Sequence, residues 1–134
     1  MSRKVAREKA MQTLFEIELS KIEAQEAIAN VIDPSELDEQ GKVFARGLVI
    51  GTLEKLAEID KKIKESAVKW QLERIGNVEK TTLRIAVYEL LYVDDVPDAV
   101  AINEAINLVK VFSTEKAAPF VNGILDKIAT DNRG

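Results

Sequence analysis

Residues 77–93 constrain this chain more than any other stretch. On a helix that turns about 100° per residue, Leu83, Ala86, Val87, Leu90 and Leu91 fall on one side, while Ile85, Tyr88 and Tyr92 fall on the other. A helix that is apolar on two sides needs cover on both. It is either the central element of a helical domain or a core element that keeps its aromatic side for a partner; tyrosines at such a rim satisfy their hydroxyls with hydrogen bonds. No period-2 run long enough for a strand occurs anywhere, so the fold class is all-α, with about six or seven helices.

The first helix is expected to start after Ser2, a good N-cap, and to run to about residue 19. Ala6, Ala10, Leu14 and Ile17, with Met11 and Phe15 beside them, form one wide apolar stripe. Arg3 and Arg7 share the angular sector of Leu14, and Lys4 lies near that of Met11 and Phe15. This spacing predicts N-terminal turns that project past the packed core and present cations along a rim continuing into Phe15. Cations at a helix N-terminus oppose the macrodipole, a cost that hints at use. Cations for phosphates and a ring for base stacking are the components of a single-stranded nucleic-acid surface. The other reading is a frayed, solvated basic terminus.

A short second helix, residues 23–31, ends before Asp33-Pro34, because the residue ahead of a proline avoids helical geometry. The next is expected to begin at residues 35–38, with Pro34 or Ser35 in its first turn. It continues through Val43, Phe44, Leu48 and Leu53, with a possible break near Gly51. Gly47 and Gly51 would share a face there and allow close helix packing. From Ile59 and Ile63 onward the segment is amphipathic, and the mixed Lys and Glu of residues 54–69 predict a solvated face. Trp70, Leu72 and Ile75 form a short apolar cluster with the lone Trp as a core anchor, and Asn77 is placed to cap the central helix. Residues 94–98 end it. A further helix turns Ile102, Ala105, Ile106, Val109 and Phe112 inward, and the final one Val121, Ile124, Leu125 and Ile128. Between them, residues 112–120 make a loop or helix start with a Phe at each end and Lys116 inside.

A length of 134 residues suits one domain or two tightly packed subdomains. The chain has no Cys and no His, which removes thiolate chemistry, the usual catalytic base and the commonest metal ligand. Its 23 acidic residues leave carboxylate or Mg²⁺ chemistry open in principle. No phosphate-cradling glycine loop, metal-ligand cluster, nucleophile elbow or repeat accompanies them. Asp94 and Asp95, beside Pro97, read as turn residues, and Asn103 and Glu104 as local helix-start partners. No enzyme activity, catalytic residue, metal or cofactor is expected. The basic start lacks a signal-peptide core and no apolar run reaches membrane-spanning length, so the expectation is a soluble, cytoplasmic protein. Residues 1–9 carry Arg3, Lys4, Arg7 and Lys9 against Glu8, whereas the rest of the chain holds 15 basic and 22 acidic side chains. Any contact with a polyanion must therefore be local and start from that end.

Residues 83–91 (LRIAVYELL), then Asp95-Val96-Pro97, residues 100–106 (VAINEAI) through Lys110, and residues 120–126 (FVNGILD) together resemble the NusB family of bacterial transcription antitermination factors. The opening, with Arg3, Lys4, Ala6, Arg7, Glu8, Ala10, Gln12, Leu14 and Phe15, is similar to that family's start, and only residues 22–65 have little that is diagnostic. The resemblance implies one all-helical RNA-binding domain over residues 1–134, made of two small helical bundles, with a role that involves no catalysis. It also implies pairing with NusE, a ribosomal protein of the small subunit. The pair would bind boxA RNA in nascent ribosomal RNA transcripts, within the RNA polymerase antitermination complex.

By position, Arg3, Lys4 and Arg7 correspond to the family's arginine-rich RNA-binding start, and Phe15 to an aromatic that borders the RNA, here without a hydroxyl. Phe112 and Phe120 match aromatics flanking the RNA path. Lys116 stands between them at a position often acidic in the family, where a cation should strengthen phosphate attraction. Glu79 matches a position used against NusE, and Lys80 and Thr82 are expected to share that surface. Two other readings compete: a detached RNA-binding domain of the type fused to ribosomal-RNA cytosine methyltransferases, and a plain helical protein-interaction module.

Overall fold

Seven α-helices and one 3₁₀ turn make up the described residues, 3–67 and 75–133, of the computed structural model, and no strand occurs among them. The expected N-cap Ser2 and the expected core residues Trp70 and Leu72 lie outside the described residues. The chain divides into two compact units, Met1–Glu54 and Lys55–Gly134.

The first unit holds α1 (Arg3–Ser20), α2 (Ala24–Val31) and α3 (Glu39–Glu54), with α1 packed on both of the others. Ala6, Ala10, Met11 and Leu14 of α1 are buried, as are Ala27 and Ile28 of α2 and Ala45, Leu48 and Val49 of α3. Small residues at Ala6 and Ala10 let the helices approach, and the larger Met11, Leu14 and Leu48 fill the space between. The buried stripe reaches the first turns of α1. Ala6 has no exposed surface and Arg7 only 4%, so the N-terminal turns do not project past the packed core as the spacing suggested. The helix closes with Lys21 in the left-handed region (φ 59), its N–H donating to the Ile17 carbonyl at 3.0 Å.

The turn into α3 differs from expectation for a specific reason. Ser35 does not open a helix; its hydroxyl donates to the Ile32 carbonyl at 2.6 Å and so closes the turn that follows α2. Asp38 takes the cap instead, accepting from the Gly41 N–H at 2.8 Å. A side chain at Gly41 would stand 3.0 Å from Leu37 Cδ2 and 3.1 Å from the capping oxygen, so this glycine, and not Gly47, makes a close approach possible. Gly47 is exposed, with nothing within 4 Å of an added Cβ. Asp33 then ties the turn to α3 by accepting from Arg46 at 3.1 Å, while its carbonyl accepts from Lys42 Nζ at 2.8 Å. The helix runs unbroken through Gly51 and stops at Glu54.

The second unit holds α4 (Leu56–Ser66), α5 (Asn77–Tyr92), α6 (Asp98–Phe112), the 3₁₀ turn Glu115–Ala117 and α7 (Ala118–Arg133). Here α5 touches α4, α6 and α7, as a helix apolar on two sides must. Leu83, Ala86, Val87 and Leu90 join one core with Ile59 and Ile63 of α4, Ile102, Ala105 and Val109 of α6, and Val121, Ile124, Leu125 and Ile128 of α7. Ile85, on the other side of α5, is buried as well. Each such aliphatic side chain contributes about 1.5–3 kcal/mol relative to exposure. Gly76, not Asn77, is the N-cap of α5. The face of α4 expected to be solvated is partly engaged: Arg84 bridges Asp60 through two bonds of 2.9 Å, with both side chains largely covered.

Glu58 of α4 accepts from the Tyr92 hydroxyl, and Lys55 Nζ lies 5.3 Å from the Tyr92 ring centre. The bond to Glu58, then burial, then the Glu58 charge raise the Tyr92 pKa above its ordinary 10.0. The folded state thus holds this proton more tightly than the unfolded chain. Its contribution to stability is intact below pH 10.0 and is lost as pH rises through the higher folded value. Tyr92→Phe should flatten the fall in unfolding free energy as pH rises above 10.0, measured by urea titration; an equally steep fall in the variant would refute the assignment. Lys21→Gly should raise stability by about 0.5–1 kcal/mol, since only glycine enters the left-handed region without steric cost. An unchanged urea midpoint would show that Lys21 carries no strain.

Candidate nucleic-acid interface

Arg3 and Arg7 stand one turn apart on α1, so both can reach the same neighbour on α3. That neighbour is Phe44. The Arg3 guanidinium carbon lies 4.3 Å from the centre of its ring and that of Arg7 lies 5.3 Å away, both within cation–π range. The expectation of cations extending the apolar stripe is thus corrected in kind: the two arginines cover an aromatic ring on the packed side of α1. A guanidinium with its face on a ring still has N–H donors around its planar edge. Arg3 is half-exposed and Arg7 almost wholly buried, and both are engaged further within the chain. Lys4 is exposed, and Phe15, three turns along the same helix, is half-buried. Beside Phe44 a groove of about 380 Å³ is lined by Arg3, Glu39, Gln40 and Val43, the last 58% exposed.

The other expected contacts belong to the second unit. Phe112 is the last residue of α6, Lys116 the middle of the 3₁₀ turn and Phe120 the third residue of α7. Lys116 is exposed. Phe120 packs against the core and is half-buried. Phe112 is also half-buried. The Ala117 N–H donates to the Thr114 carbonyl at 3.2 Å, which tightens the turn around Lys116.

Glu79 anchors this loop. It lies in the first turn of α5, where a carboxylate complements the helix dipole, and it accepts from the hydroxyl of Ser113, the residue just after Phe112. The same carboxylate folds over Gly76, where any Cβ would collide with it. A position expected to face a partner therefore also pins the start of the Phe112–Phe120 segment. Lys80 is half-buried and engaged within the chain. Thr82 has no exposed surface, which corrects the expectation that it shares an outer face with Glu79 and Lys80. Two residues central to this arrangement, Phe44 and Ser113, were not singled out from the sequence. Phe44 reads as one more inward apolar position of α3, and nothing in a linear sequence pairs Ser113 with a carboxylate 34 residues earlier.

No group of three or more acidic side chains suited to a metal ion occurs among the described residues. None of their helices is long and apolar enough to cross a membrane. What the arrangement offers is binding: exposed cations, half-buried rings and hydrogen-bonding groups. The Phe44 contact can be weighed by a double-mutant cycle in urea. Phe44→Leu and Arg7→Met should couple by about 0.5–2 kcal/mol, and strictly additive losses would show the ring and the guanidinium to be mere neighbours.

A model of the NusB family matches residues 4–130. The transcription antitermination protein NusB of an Exiguobacterium species is 48% identical over 132 residues, spanning 98% of this chain and 100% of that protein. Among solved structures, T. maritima NusB aligns with a TM-score of 0.93 at 35% identity, covering 100% of this chain and 94% of that one. A structure of the antitermination factors NusB and NusE in complex with dsRNA aligns with a TM-score of 0.88 at 28% identity, covering 96% of each chain.

Proposed function

This chain belongs to the NusB family, and from that premise we propose that it acts with NusE to hold boxA RNA in nascent ribosomal RNA transcripts, as part of an antitermination complex on RNA polymerase. The reading is one of binding without catalysis. The observation that carries it is the pair of arginines over Phe44 at the start of an otherwise acidic chain, since an acidic protein can meet a polyanion only through a local, held cluster of cations. A relative solved with NusE and dsRNA supports the choice of partners. The match along 98% of this chain and 100% of a stand-alone relative favours antitermination over the methyltransferase-associated domain.

In this mechanism Arg3 and Lys4 of the first unit and Lys116 of the second meet phosphates. Arg7 acts as a positioning residue that holds Phe44 and, through it, Arg3. The half-buried rings of Phe15, Phe112 and Phe120 contact unstacked bases. Glu79, with Lys80 beside it, contributes to the NusE surface. About three phosphate contacts yield a log–log salt slope of only about −2 on single-stranded RNA, so the protein alone binds weakly and NusE enlarges the surface.

Titrating a labelled boxA RNA with and without NusE, at two salt concentrations, tests this. The complex should bind at least about tenfold more tightly than the chain alone. Replacing Arg3, Lys4 and Lys116 together by Ala should flatten the salt slope while circular dichroism stays unchanged. Equal affinity with and without NusE, or an unaltered slope in the triple variant, would refute the reading.

A further inference from the structure

The groove between α6 and α7 carries side chains that the reading above leaves unused. Asn103, Ile106 and Lys110 stand at i, i+3 and i+7 along α6, and therefore on one face. Facing them, Glu115 of the 3₁₀ turn and Ala118, Pro119 and Asn122 of α7 form the second wall. The groove encloses about 530 Å³, within the range of about 300–1,000 Å³ in which small-molecule-sized groups are held. Its floor is apolar: Ile106 packs on the core of the second unit and Ala118 is buried. Its rim is polar, with Asn103, Lys110, Glu115 and Asn122 all exposed. Among the described residues, the side chains of Asn103, Lys110 and Asn122 make no hydrogen bond or ion pair. Asparagine is also a poorer helix former than alanine, and two of them sit inside helices here.

We propose that this groove receives an unstacked nucleobase of the bound RNA, one that carries an exocyclic amino group. The inference rests on the RNA-binding reading and adds to it a base-reading subsite. Each Asn amide offers one acceptor and two donors, the set that matches a base edge, as in the bidentate Asn–adenine pair. The Glu115 carboxylate accepts only, which suits an amino group on the base. The Ile106, Ala118 and Pro119 floor takes the face of the ring, and Lys110 supplies a point charge for the adjoining phosphate. Glu115 precedes Lys116 directly, so a strand held by Lys116 passes the mouth of the groove. An apolar peptide side chain would use the floor but leave both amides and Lys110 without partners.

The test uses the full chain with NusE and a labelled boxA RNA in which each amino-bearing base is replaced in turn by an abasic site. With the unaltered protein, at least one abasic position should weaken binding about tenfold. In the Asn103→Ala/Asn122→Ala double variant the parent RNA should lose about tenfold and that same abasic position should become neutral, with the salt slope unchanged. Asn122→Asp, which keeps the size and removes the donors, should reproduce part of the loss. Lys110→Ala should instead reduce the salt slope by about one phosphate's share, roughly 0.7. All the altered side chains are exposed, so circular dichroism should not move. An unchanged affinity and abasic profile in the double variant, with RNA bound normally, would overturn the subsite and leave the RNA reading standing. Loss of NusE binding with RNA binding intact would mark the groove as a protein site and overturn it equally. Failure of the unaltered complex to bind the RNA at all would overturn both.

Discussion

The double-sided burial of α5 is the constraint on which the second unit depends. A helix with Leu83, Val87 and Leu90 on one side and Ile85 on the other is stable only where every apolar flank finds a neighbour. α4, α6 and α7 cover the side of Leu83, Val87 and Leu90, and their own buried residues recur at helical spacing because each contributes one stripe to the same core. Everything proposed for the surface of that unit is fixed by this packing. Phe112 and Lys116 stand where they do because α6 and α7 are held against α5, and Glu79 reaches Ser113 because the first turn of α5 lies beside the end of α6.

Charge placement follows a different logic in the first unit. Cations on the packed side of a helix should be expelled, yet Arg7 is buried and Arg3 half-buried. An aromatic partner resolves the conflict. The negative face of the Phe44 ring receives both guanidinium groups, at 4.3 and 5.3 Å, and both arginines make further contacts within the chain, so the side chains are held. A cluster of this kind is compatible with a chain whose net charge is −4, since the attraction is short in range and screened within about 8 Å at physiological salt.

The head of α5 links two surfaces that the linear sequence keeps apart. Glu79 complements the helix dipole, occupies the space left by Gly76 and accepts from Ser113, so one carboxylate serves both the helix start and the loop of Phe112 to Phe120. Any group that draws Glu79 outward removes the acceptor from Ser113. The start of α5 and the end of α6 are therefore connected through a single hydrogen bond.

Hydropathy at helical spacing determined the all-α class, the central place of α5 and the larger part of the inward positions of α6 and α7, because those depend on which residues avoid water and on a repeat of 3.6, though it did not mark Ala101, Leu108, Ala118 or Ala129. The family resemblance pointed to the same basic start of the chain that the charge asymmetry did. Local polar choices were less legible. The helix expected to open at Ser35 starts after Asp38, because the Ser35 hydroxyl reaches the Ile32 carbonyl and the Asp38 carboxylate reaches the Gly41 N–H, and Gly76 rather than Asn77 stands at the N-cap of α5. Only the tertiary structure decided that Arg7 and Thr82 lie inside, that Phe44 receives two cations, that Ser113 meets Glu79 and that Asn103 and Asn122 line one groove. Those are meetings between residues on different helices or distant turns, and a one-dimensional pattern records the face a residue occupies but not what the opposing face brings to it.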